Sequence, residues 1–469
     1  MRLAARIAAG LTLACAVMCS CNARDGASHP NVLLIVVDTL RADHLGCYGY
    51  SRPTSPNLDA LAARGTRFAA ARAASSWTLP SVSSILTGLY PAVHGVERSD
   101  SVVSDSLSTL ADDFHEAGYE TVALSANPAF VTPRQGLARG FDRFDVLHGG
   151  AAAPKTMGAV PADASMSRWV FEASAAELTS AALAWLRSRD QARPFLLYLH
   201  YFDPHAAYSP PRDFARRFGV ADDEPLAGPA QWPVLLAPSA PDAATLAVLQ
   251  KLYDAEIAAT DAAIGNLFDA LPNATRDRTI VVVTADHGEE FGEHGGVQHG
   301  RTLYDELLRV PLLMAGPGVP AASVAAAPVS LAELRATIDA MCALAAPESA
   351  AIEPSFATAL AGASSPGPVY ADLEARFEGD RQQHRRAMVD GKWKLLMDPA
   401  RGTRLFDLDA DAGEHTPAGD DEAPRREAMT GTVLARDART VAQRSIAPPR
   451  TGLLDPARRE QLRALGYAQ

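Results

Sequence analysis

The sequence predicts an α/β fold: a three-layer α/β/α sandwich followed by a small C-terminal antiparallel β-sheet plus helix. Three observations carry this. Short, continuous apolar runs rich in β-branched residues recur at Asn31–Val37, Thr121–Leu124, Phe195–Leu199 and Thr279–Val283, as expected of strands buried on both faces of a parallel sheet. Stretches with helical spacing alternate with them, at Pro56–Gly65, Leu79–Gly88, Glu177–Arg187 and Ala243–Ala270. After residue 345 the texture changes to short segments, Arg386–Val389, Lys392–Met397 and Thr403–Leu408, separated by turns at Asp390-Gly391 and Pro399–Gly402.

Residues 1–20 carry Arg2 and Arg6, then an apolar stretch from Ile7 to Met18, then small residues. This is the pattern of a secretory signal and not of a membrane span. Met18-Cys19-Ser20-Cys21 is similar to a bacterial lipoprotein box, with Cys21 as the lipidated residue; the alternative is plain cleavage without lipid. The mature protein is then expected in the periplasm or on the outer membrane, facing away from the cytoplasm and touching a membrane only through that N-terminal lipid anchor. A polar linker over 21–30 leads into an α/β domain expected over 31–345. A smaller α+β unit is expected over 346–469, closing on an amphipathic docking helix at Leu453–Gln469.

The 469 residues are 48% hydrophobic and 21% charged, an ordinary globular balance with ample material for a core. The formal charge of −12 offers no basic surface for a phosphate backbone and argues against nucleic acid as a partner. Of five cysteines three lie in the leader, leaving Cys47 and Cys342, so a disulfide scaffold is excluded.

In open α/β sheets ligands bind at the carboxyl ends of the strands. Asp38-Thr39 follows the first strand, Asp203-Pro204-His205 the strand at 195–199, and Asp286-His287-Gly288 the strand at 279–283. Each pair alone equally suits a helix cap or a satisfied polar residue. Three such ends in one sheet converge on one edge, where carboxylate and imidazole suit a divalent metal. Thr78 precedes a helix opening at Leu79-Pro80-Ser81, so its hydroxyl is either that helix's N-cap or an activated nucleophile at a helix N-terminus beside the metal. Asn127, after the strand at 121–124, suits either a substrate contact or a turn before Pro128.

Several blocks then occur in order. These are Val36 through Tyr50, Trp77-Thr-Leu-Pro-Ser81 with Leu86 through Gly95, Tyr253 through Ile257 with Asp261, Thr284 through Glu290, His299 through Tyr304 leading to Arg309-Val-Pro311, and finally Gly391-Lys-Trp-Lys394 with Leu405-Phe-Asp-Leu408. Together they resemble the sulfatase family of the alkaline phosphatase superfamily over nearly the whole mature chain. The resemblance implies Asp38, Asp286 and His287 as metal ligands and Thr78 as the metal-bound nucleophile. It implies that His205 and His299 contact the substrate or, with Asp203, a second ion.

The departures from the family pattern are informative. Thr78 stands where the family carries a cysteine or serine that is oxidised to formylglycine, Val82 where it carries an arginine, and Thr39 where it carries a second aspartate. An imidazole among the ligands favours Zn²⁺ or Mn²⁺ over Ca²⁺ or Mg²⁺. Threonine has no second hydroxyl, so its covalent intermediate must be hydrolysed at phosphorus or sulfur or handed to another alcohol. That resembles the threonine-dependent phosphodiesterases, phosphonate monoester hydrolases and phosphoglycerol transferases of the superfamily. The expected activity is therefore metal-dependent hydrolysis or transfer on a sulfate or phosphate ester, leaning to phosphodiesters and phosphonate esters. The substrate would be a small molecule, lipid headgroup or glycan ester. The alternatives are an arylsulfatase-type enzyme without formylglycine and an inactive surface-anchored binding protein.

Overall fold

A computed structural model describes residues 29–149, 173–345 apart from residue 238, 353–360, 362, 367–375, 383–444 and 450–451. The signal segment, Cys21 and the docking helix expected at 453–469 lie outside the described residues.

The central sheet has eight strands: β1 (Asn31–Val37), β2 (Thr66–Phe68), β3 (Glu120–Ser125), β4 (Arg143–Val146), β5 (Phe195–Tyr201), β6 (Thr279–Ala285), β7 (Leu312–Ala315) and β8 (Ser323–Ala325). Their order is β8-β2-β7-β6-β1-β5-β3-β4. All run parallel except β7, which is antiparallel to both its neighbours. Every residue of β1, β5 and β6 is buried, which is why these strands read as unbroken apolar runs.

Helices cover both faces. On one side α1 (Pro56–Ala63), α4 (Ala175–Ser188) and α5 (Ala243–Ala270) pack together; on the other, α2 (Thr78–Thr87), α3 (Leu110–Glu116) and α6 (Leu334–Met341) do. Their starts follow local chemistry. Ser174 and Glu177 form a reciprocal capping box on α4, the Asp242 side chain accepts from Thr245 N on α5, and Pro56 opens α1. Asp261 on α5 accepts from the free amides of Asn57 and Leu58 and so ties α5 to the start of α1. All ten residues of α2 are buried, so its hydroxyls need internal partners. Ser83, Ser84 and Thr87 donate to the carbonyls of Leu79, Pro80 and Ser83 one turn back.

The small antiparallel sheet contains β9 (Val369–Ala375), β10 (Gln383–Asp390), β11 (Trp393–Asp398) and β12 (Gly402–Asp407), with α7 (Ala423–Arg444) across it. Met388, Leu395 and Leu405 of the sheet and Met429 and Val433 of α7 make its core. Ion pairs lock this unit to the larger one: buried Lys394 reaches Asp305 at 2.7 Å, a residue that also pairs with Arg72. Within the described residues no helix is long and apolar enough to cross a membrane.

The central register positions the site. Val37 lies opposite Ala285 on β6 and Tyr201 on β5. The next residues, Asp38, Asp286 and Phe202, therefore leave the sheet side by side, about 4.8 Å apart in backbone spacing.

Candidate active site

Asp38, Asp286 and His287 are all fully buried, and one ligand atom from each lies within 4.8 Å of the others. His287 Nε2 is 3.6 Å from Asp38 Oδ1 and 3.5 Å from Asp286 Oδ2. The opposite ring nitrogen, Nδ1, lies 2.9 Å from the Gly288 carbonyl, which assigns the proton to Nδ1 and leaves Nε2 a lone pair. Among the described residues neither Asp38 Oδ1 nor Asp286 Oδ2 has a hydrogen-bond partner. Three acceptors thus face one another, the two carboxylate oxygens without any donor and the imidazole nitrogen with only the Thr78 hydroxyl, 3.3 Å away. Buried acceptors left this way are costly, and a divalent cation is the group that satisfies all three at once. The residues present fit a metal ion.

The remaining oxygens of both carboxylates are held by the protein. Asp286 Oδ1 accepts from the amides of Thr39 at 3.3 Å and His287 at 3.0 Å. Thr39 sits at φ 57°, a left-handed conformation that costs a β-branched residue about 1–3 kcal/mol. Its amide bond to Asp286 and the Tyr253 hydroxyl donating to its carbonyl at 2.7 Å hold it there. Asp38 Oδ2 accepts from Asn127 Nδ2 at 2.7 Å and from His200 Nε2 at 3.3 Å. Gly288 admits the neighbouring chain: a Cβ there would meet the Glu306 carbonyl at 2.0 Å.

The electrostatics of the cluster suit a cation. Burial alone would raise Asp38, but the His200 hydrogen bond, with the surrounding histidines, outweighs it and holds the carboxyl well below its usual range. Burial and the Asp38 charge push Asp286 well above its usual range. Two crowded carboxylates shifted in opposite directions are what a shared cation would accommodate. Burial, aided by His299, pushes the His287 imidazole down to about 3, so it is neutral and competent as a ligand.

Thr78 is the first residue of α2, with Trp77 as the capping residue, and its Oγ1 lies 3.3 Å from His287 Nε2. The structure thus brings Thr78 into the cluster and gives the capping position to its neighbour. His205 and His299 stand beside it: their ring centroids are 5.0 Å apart, and His299 is 4.5 Å from His287. His299 Nδ1 meets Glu289 Oε1 at 3.0 Å, and the Tyr208 hydroxyl donates to Glu289 Oε2 at 3.1 Å. Burial lowers the imidazole of His205 and lowers that of His299 to about 4, and it raises Glu289 to about 7.

Asp203 behaves differently. Its Oδ2 accepts from Ala175 N in the first turn of α4, and among the described residues Asp203, His205 and His299 do not converge as a set of ligand atoms. Asn127 is a turn residue and an orienting one: its Oδ1 accepts from Ala129 N and Phe130 N, both at 2.9 Å, which leaves its amide nitrogen for Asp38. Val82 is buried in the core and brings no charge to Thr78.

Sequence reasoning missed His200, Glu289 and Tyr208. His200 lies in an apolar strand and reads as a core residue; the signal was its place as the one imidazole in that strand.

The family model of the sulfatases matches residues 30–341. The chain belongs to the sulfatase family. Among sulfatases, it is 27% identical over 318 residues to the uncharacterized sulfatase YidJ of Escherichia coli (strain K12), covering 61% of this chain and 63% of that protein, just under two thirds of its length. It is 26% identical over 337 residues to the arylsulfatase of Clostridium perfringens, covering 62% of this chain and 69% of that one. The crystal structure of the phosphonate monoester hydrolase of Agrobacterium radiobacter superposes with a TM-score of 0.69 at 22% identity, over 88% of this chain and 96% of that one, a likeness of fold.

Proposed function

We propose that the protein is a metal-dependent ester hydrolase in which Thr78 is the nucleophile, acting on phosphodiesters or phosphonate esters in preference to sulfate esters. The observation that carries this is the position of the Thr78 hydroxyl, 3.3 Å from His287 Nε2 at the edge of a donor-free cluster of three ligand atoms. Asp38, Asp286 and His287 would hold one divalent cation, Zn²⁺ or Mn²⁺ by the imidazole in the set, which when bound lowers the proton affinity of a nearby hydroxyl and neutralises anionic charge.

The chain's own residues supply the rest. Thr78 Oγ attacks the phosphorus; its proton passes to the neutral imidazole of His205 or His299, the ester P–O bond breaks, and the leaving oxygen takes that proton back from the imidazolium so formed. The resulting phosphothreonine has no second hydroxyl with which to expel the group. Water must therefore attack at phosphorus, with one of the same two imidazoles taking its proton, to regenerate Thr78. Formylglycine chemistry is closed to a threonine, and buried Val82 offers no cation to a sulfated intermediate. These two features support phosphorus over sulfur, whereas likeness to arylsulfatase supports the sulfate-ester reading.

Side-by-side turnover of nitrophenyl phosphodiester, phosphonate ester and sulfate under matched metal conditions tests the preference. Faster cleavage of the sulfate overturns it. We further propose that the enzyme works outside the cytoplasm, anchored through Cys21 as a lipoprotein. Failure of labelled lipid to co-migrate with the full-length protein in a bacterial host, while the signal is still cleaved, contradicts the anchor.

A further inference from the structure

We propose that Arg401 and Arg404 form an oxyanion-binding site separate from the buried cluster. The turn between β11 and β12 carries Arg401, and Arg404 lies on β12. Arg404 Nη1 donates to the Tyr304 hydroxyl oxygen at 2.7 Å and Arg401 Nη1 donates to the same atom at 3.3 Å. Two guanidinium groups thus share one hydroxyl oxygen.

That arrangement is unusual in this molecule. Buried arginines elsewhere in the molecule are matched to carboxylates: Arg72 to Asp305, Arg335 to Asp113, Arg436 to Asp372. Among the described residues no carboxylate stands in ion-pair distance of Arg401 or Arg404, and Asp398 on the same hairpin is taken by Arg385 Nε and Ala400 N. Arg404 is further held over the rings of Tyr304 and Phe406, at 5.5 and 5.7 Å from their centroids. His294 stacks on Tyr304 with centroids 3.4 Å apart, and His415 lies 5.4 Å from His294. Like charges so placed repel each other, and a planar or tetrahedral oxyanion bridging two guanidinium forks relieves that repulsion with charge-assisted hydrogen bonds. Arg401 is exposed and Arg404 half-buried, so such a ligand enters from solvent.

The ligand class is a sulfate, phosphate or carboxylate group. Tyr304 continues the chain segment that carries His299. The anion is therefore either a second charged group on the ester substrate, a source that rests on the function proposed above, or a free inorganic anion. Crystals soaked in tungstate are expected to show anomalous density bridging Arg401 and Arg404. The double variant Arg401→Gln/Arg404→Gln is expected to lose it while cleaving a singly charged nitrophenyl ester within twofold of the parent. Density confined to the buried cluster, or unchanged in the double variant, overturns the proposal. If the double variant raises KM about tenfold or more for an aryl ester bearing an added carboxylate, the source is the substrate; an unchanged KM with lost tungstate density assigns a free anion. An enzyme that cleaves neither ester counts against the proposed function, while the tungstate readout still decides the site.

Discussion

The Asn127 amide donates to Asp38 Oδ2 at 2.7 Å, and because Asn127 Oδ1 already accepts two backbone amides, the direction of that bond is fixed by the turn itself. With His200 on the same oxygen, Asp38 has only Oδ1 left to face Asp286 and His287. Asn127→Ala removes one orienting donor and one acceptor, with the two backbone bonds it takes, from a buried turn. It should weaken metal affinity roughly 10–100-fold, as loss of a ligand's supporting contact typically does, and cost about 1–3 kcal/mol in stability. Metal titration followed by thermal unfolding of the apo and loaded variant separates the two effects.

The cluster itself predicts opposite effects with and without metal. Asp286→Asn removes one of two carboxyls that burial crowds together, so the apo protein should be as stable as the parent or more so. The rise in melting temperature that Zn²⁺ or Mn²⁺ gives the parent should disappear in the variant. A retained metal-dependent rise would remove Asp286 from the ligand set.

Much of this site could be read in the sequence, and the reason is register. Asp38 and Asp286 each follow a buried strand whose β-branched run marks its end, and adjacency of those strands brings the carboxylates together. What was not legible depends on contacts made far along the chain. His200 looks like core because it is buried throughout, with polar contacts, among the described residues, only toward Asp38 and the Tyr198 hydroxyl. The role of Asp203 in the first turn of α4 needed the start of that helix. Helix α7 and strand β9 were missed because α7 offers only a sparse apolar stripe, Met429 and Val433, and β9 is separated from its partner strand by residues 376–382.

Glu289 predicts a kinetic phenotype. It accepts from His299 on one oxygen and from Tyr208 on the other, which fixes the ring that would protonate the leaving group. Glu289→Ala should lower kcat by about 100-fold with KM little changed, the low end of what general acid–base catalysis contributes. Glu289→Gln, which can still accept from Nδ1, should recover part of the loss. Equal loss in both variants, accompanied by unfolding, would mark the residue as structural only.

Asp339 gives a pH dependence remote from the metal cluster. Burial and the Asp113 charge, opposed by Arg335, push its carboxyl up to about 8. A carboxyl near 3.9 in the unfolded chain and near 8 in the folded one binds more protons when folded between those values, so its contribution to stability falls as pH rises from about 4 to 8. Asp339→Asn should therefore raise the melting temperature at pH 8 more than at pH 5. An equal shift at both pH values would refute the assignment.

The central claim is that the Thr78 oxygen becomes covalently attached to the group it cleaves. Acid-quenched reaction with a nitrophenyl phosphonate ester, followed by peptide mass mapping, tests it directly. The predicted result is the phosphonyl group on the peptide containing Thr78, a matching burst of nitrophenol, and loss of both in Thr78→Ala. Undiminished turnover by Thr78→Ala, or steady turnover with the adduct on another residue, would contradict it.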